Sequence, residues 1–147
     1  MRRVVFALVA AMVAGALVAQ ETPAYAPADN PFQRDFAFVL GQAVDLHVDI
    51  QGVRLDTVTV AAPGEARPGE RVKCEAVLAG NNTADKKATL TTVLLLEDAD
   101  GKALEKVALD PFRVKAKREF QERQKVTIAG DALAAARKVY LFVQVGF

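Results

Sequence analysis

The sequence predicts an all-β fold, an antiparallel sandwich of seven or eight strands over residues 42–147. Three observations carry that prediction. Apolar and polar residues alternate with a period of two in segment after segment beyond Gly41, as half-buried strands require. Gly, Pro, Asn and Asp punctuate those segments at near-regular spacing, the pattern of sandwiches and small barrels. With the N-terminus set aside, the 147-residue chain has room for one core, and 52% hydrophobic against 25% charged residues is a globular balance.

The N-terminus is a separate object. Met1-Arg2-Arg3 is a positive start, and Val4 to Ala19 is an uncharged apolar run. The run falls short of the about 20 residues a spanning helix needs, so residues 1–19 read as a secretory signal peptide. Small-residue sites end at Ala19 and at Ala26. Pro27 would follow the second, and its ring and missing N–H disfavour a cut there. The chain is expected to be exported, periplasmic or extracellular, with no membrane span after leader cleavage.

Residues 20–41 are expected to be a tether, "QETPAYAPADN", followed by a short helix. Asn30 would cap it and Pro31 would take its first position. Phe32, Phe36, Val39 and Leu40 would share one face, and Gly41 would stop it. A strand through Phe36, Phe38 and Leu40 is the competing reading.

Beyond Gly41, Val44, Leu46, Val48 and Ile50 alternate with Asp45, His47 and Asp49, and Gln51-Gly52 supplies a tight turn into "VRLDTVTV". The phase slips near Asp56-Thr57, which implies a bulge or a strand that changes sheets. "AAPGEARPGE" is a loop, and Val72, Cys74, Ala76 and Leu78 form a half-buried strand ended by "GNNTADKK". "ATLTTVLLLE" is apolar or threonine on both parities, which predicts a central strand covered on both faces. Asp100-Gly101 turns the chain into "KALEKVAL", and Asp110-Pro111 ends that run. In "FRVKAKREF", Phe112, Val114 and Ala116 face inward; "RQKVTI" follows. "GDALAAARK" predicts a turn or two of helix capped by Asp131, and "VYLFVQVGF" closes the sheet.

Whole classes of chemistry are excluded. The chain has no serine and one histidine, so a serine triad cannot form, and phosphoryl-transfer signatures are missing. Cys74 shares the parity of Val72, Ala76 and Leu78 and reads as a core thiol. Without the leader, seventeen basic residues face eighteen acidic ones, so no global field draws nucleic acid. The protein is expected to be no enzyme and to need no cofactor.

Three clusters are candidate sites. Asp45, His47 and Asp49 lie on one face of a strand and could hold a divalent transition metal loosely; no second histidine or cysteine completes the shell. Glu97, Asp98 and Asp100 are a candidate calcium loop. They fail the EF-hand template, because with Gly101 at the sixth position its first and twelfth ligands would be Leu96 and Val107. The competing reading is a hairpin bend. Arg113, Lys115 and Lys117, extended by Arg118, Arg123 and Lys125, form a basic strip for polyanion contact, or a charged edge that keeps a sheet soluble.

Pro68-Gly69-Glu70 before a strand, Asn81-Asn82 closing it and the "EDADGK" hairpin between two further strands give residues 68–145 a recognisable layout. It resembles bacterial extracytoplasmic immunoglobulin-like or fibronectin-III-like modules of the cell-adhesion-related type. The resemblance implies an immunoglobulin-like sandwich and a binding or structural role without catalytic residues. The expected partner is another envelope or extracellular protein, or a glycan, met through loops or a sheet edge. The alternative is a small outer-membrane β-barrel, since Val139, Leu141, Val143 and Val145 share a parity before the terminal Phe147.

Overall fold

Period-two alternation becomes strand after strand. A computed structural model describes residues 24–65 and 67–147; the expected leader, residues 1–19, lies outside them. Among the described residues are ten strands and one short helix. They run β1 (Ala26–Pro27), β2 (Phe32–Ala37), β3 (Val44–Ile50), β4 (Val53–Ala61), β5 (Arg71–Asn82), β6 (Ala88–Glu97), β7 (Ala103–Ala108), β8 (Phe112–Val114), β9 (Arg118–Ala129), α1 (Gly130–Ala135) and β10 (Lys138–Gly146). They form two sheets. The first has the order β1-β3-β4-β5-β9; the second has the order β2-β10-β6-β7, with β8 also paired to β6. Every pairing is antiparallel except that of β1 with β3.

The inward parity of each strand makes the core. Ile50, Leu55, Leu78 and Ile128 from the first sheet meet Leu90, Leu94, Leu96 and Leu141 from the second in one cluster, each at most 1% exposed. Burying each such side chain contributes about 2 kcal/mol relative to leaving it in water. The architecture is therefore β-sandwich-like and all-β.

Residues 24–41 depart from the sequence reading. Where a helix was expected, Phe32–Ala37 is a strand along β10, with Phe36 opposite Val139 and Phe32 opposite Val143. Positions four apart share a face in a strand as well as in a helix, and the free edge of β10 supplied the hydrogen bonds that decided between them. Asn30 caps no helix. Its side-chain amide donates to the carbonyl of Val145 (2.7 Å) and its oxygen accepts from the Val145 N–H (3.0 Å), clamping the last strand. The tether is likewise ordered from Ala24 onward: β1 lies parallel to Val48 and Asp49. The sheets thus begin near residue 26 rather than 42, and these two strands raise the count from eight to ten.

The phase slip at Asp56-Thr57 is a bulge. The β4–β5 register shifts between Leu55 and Thr57, and β4 stays in its sheet. Gly80 sits opposite, where a Cβ would lie 2.1 Å from the Arg54 carbonyl oxygen. A second shift falls in β3 between Asp45 and Val48, around His47 with φ 47°. Gln51 and Gly52 both have positive φ, as the tight hairpin turn requires. β5 runs on through Asn82, whose buried amide donates to the carbonyls of Lys86, Val114 and Lys115. The predicted helix forms, but Asp131 lies in its first turn instead of capping it, and accepts from the Gly69 N–H (3.2 Å).

Candidate interaction surface

The Asp45–His47–Asp49 row does not gather into a ligand set. Asp45 is exposed. Asp49 accepts the Gly52 N–H (2.7 Å) and faces Arg54 (3.4 Å), so its carboxylate serves the β3–β4 turn. The bulge sets the His47 ring edge-on to Tyr25, centroids 5.9 Å apart. The Tyr25 hydroxyl in turn donates to Asp56, while Arg54 stacks over the Tyr25 ring. That Asp56 hydrogen bond, more than burial, holds the Tyr25 phenol above its ordinary pKa. These contacts pin the N-terminal strand to the first sheet.

Glu97, Asp98 and Asp100 also part company. Asp98 accepts the backbone N–H groups of Asp100 and Lys102, both at 2.9 Å, so its carboxylate builds the hairpin bend. The Glu97 carboxyl is raised above its usual pKa, first by the carboxyl of Asp35 across the sheet and then by burial. Among the described residues no three His, Cys, Asp or Glu side chains are placed to hold a metal ion.

The basic strip is split between the two sheets. β8, carrying Arg113, pairs with β6 and ends at Val114, whereas Arg123 and Lys125 lie on β9. Lys117 donates to the Thr83 carbonyl (2.6 Å) and pairs with Asp85 (3.2 Å); Arg123 pairs with Glu75 (2.8 Å). Cys74 is 3% exposed, and burial pushes its thiol pKa up, which keeps it protonated and unreactive. Val139, Leu141, Val143 and Val145, which the barrel alternative turns toward lipid, point into the core at 4% exposure or less.

Sequence reasoning missed a different surface. The outer face of the second sheet carries no further layer of the described chain, so β6 is covered on one face only. Its outward residues Thr91, Val93 and Leu95 are half-buried, as are Tyr140 and Phe142 beside them on β10. Val93, Leu95, Tyr140, Phe142 and Lys106 line a shallow depression of about 380 Å³. The register fixes how the face reads across strands β7, β6, β10 and β2. One row is Lys106, Leu95, Tyr140, Asp35, and the next is Ala108, Val93, Phe142, Gln33. A third row places Glu97 beside Lys138, with Ala103 and Ala37 outside them.

The long edge strand of the first sheet, β9, offers less. β9 carries Arg118, Glu119, Glu122, Arg123 and Lys125, and two of its backbone groups are taken, the Ala129 N–H by Glu105 (2.7 Å) and the Thr127 carbonyl by Arg71 (2.9 Å). Charge on an edge strand opposes strand addition. The surface's signal was legible in "ATLTTVLLLE" and in Tyr140 and Phe142, where two-parity apolarity marks either a covered face or one awaiting cover. No family model matches the sequence, and no curated protein is significantly similar to it.

Proposed function

We propose that the protein is an exported, non-catalytic binding module of immunoglobulin-like arrangement that recognises a protein through the outer face of its second sheet. The observation that carries the reading is the stripe Val93, Leu95, Tyr140 and Phe142, central on a sheet face that no described segment covers. A contiguous apolar centre with a polar rim is the anatomy of a protein contact surface. A glycan would call for more outward hydrogen-bonding groups than this centre offers, so a protein is the favoured partner. Export rests on the leader reading of residues 1–19.

The test is photo-crosslinking in cells expressing the full sequence, with the probe at Phe142 or, on the opposite sheet, at Lys125. A protein adduct specific to position 142, on a chain that has left the cytoplasm, is the expected result. No adduct, or equal adducts at both positions, overturns the reading.

A further inference from the structure

We propose that the occupant of this face is a second copy of the same chain, in a two-fold dimer that packs the two β2-β10-β6-β7 sheets face to face. The inference rests on the reading of that face as the contact surface and names its partner.

The argument is charge complementarity in register. A two-fold axis running parallel to the strands, between β6 and β10, turns the faces together and reverses strand order, so β7 of one copy lies over β2 of the other and β6 over β10. Such a contact is self-complementary only if each row reads as its own complement when reversed. The row Lys106–Leu95–Tyr140–Asp35 does so: lysine falls on aspartate at both ends, and leucine on tyrosine in the middle. On one side, the row of Glu97 and Lys138 sets Glu97 over Lys138 of the second copy; on the other, Val93 falls over Phe142.

In the single chain Glu97 and Asp35 lie together, and neither is paired with a lysine among the described residues. The second copy brings Lys106 and Lys138 to that carboxyl pair.

The size is adequate for a reversible complex. Four strands ~4.8 Å apart and about eight residues long at ~3.3 Å each give a face of about 500 Å², hence about 1,000 Å² buried between two copies.

The test is sedimentation equilibrium on protein expressed from the full sequence, as wild type and as two charge-reversed variants at exposed positions, Lys106→Asp and Asp35→Lys. Wild type is expected to dimerise. Each variant sets like charges together twice per dimer and should weaken self-association at least about ten-fold. An equal mixture of the two restores both opposite-charge contacts and should return to wild-type affinity as a heterodimer.

Wild type monomeric up to about 1 mM, or a dimer indifferent to both substitutions, overturns the proposal. If wild type is monomeric while the Phe142 probe captures a protein of another mass in cells, self-pairing fails and the broader binding role stands. If both experiments are negative, both fall.

Discussion

The two sheets share one core and differ in what they show to water. On the first, most outward positions are charged or polar, and some pair on the same surface: Arg123 meets Glu75 and Arg54 meets Asp49, while Arg71 meets Glu105 at the margin between the sheets. On the second, the outward centre is Val93, Leu95, Tyr140 and Phe142, flanked by Lys106 and Asp35 at the ends of one row and by Glu97 and Lys138 in the row beyond. Charges that pair on their own surface have less left to offer a partner. A face whose apolar centre is uncovered and whose rim charges are unpaired within the chain is incomplete alone.

The sharpest test compares neighbours on opposite sides of β6. Leu94 is 1% exposed in the core, whereas Leu95 is half-buried on the outer face. Leu94→Ala is expected to cost about 3 kcal/mol in urea unfolding, and Leu95→Ala about 1 kcal/mol or less at dilute protein. Equal costs would mean that the outer face is as fully buried as the core, and the contrast between the faces would collapse.

A smaller effect is expected on the first sheet. The side chains of Arg123 and Glu75 are 57% and 45% exposed, so their ion pair is screened by solvent. Arg123→Ala should change unfolding stability by no more than about 0.5 kcal/mol, fading further in high salt. A loss several times larger would show that this face also carries a contact essential to the fold.

Much of this was legible in the sequence because period-two patterning reports directly on which parity is buried. Val44–Ile50, the Gln51-Gly52 turn, the bulge at Asp56-Thr57 and the Asp100-Gly101 hairpin all follow from local chemistry. What was not legible depends on neighbours distant in sequence. Phe32 and Phe36 suit a helix or a strand until β10 offers its edge, and Asn30 resembles a cap until Val145 arrives beside it. The surface was obscured for the same reason. Leu95 and Tyr140 lie far apart in the chain, and only the register shows that they stand side by side with lysine at one end and aspartate at the other.

The finest probe is the carboxyl pair at the rim of the apolar stripe. Asp35 from β2 faces Glu97 and raises its pKa; Lys138 from β10 acts in the opposite direction, and Asp98 adds to the rise. With the folded pKa above the unfolded value near 4.5, Glu97 favours the fold fully at pH below that value. The contribution is lost as pH rises through the folded pKa, because the unfolded chain ionises more readily. Glu97→Gln should therefore make the protein more heat-stable relative to wild type at neutral pH, with the gain shrinking as pH is lowered toward 4.5. Measured on dilute protein this reports the single chain. Repeated at high concentration, the gain should shrink or reverse, because lysines of a second copy favour the ionised carboxylate; a gain independent of concentration would count against that pairing.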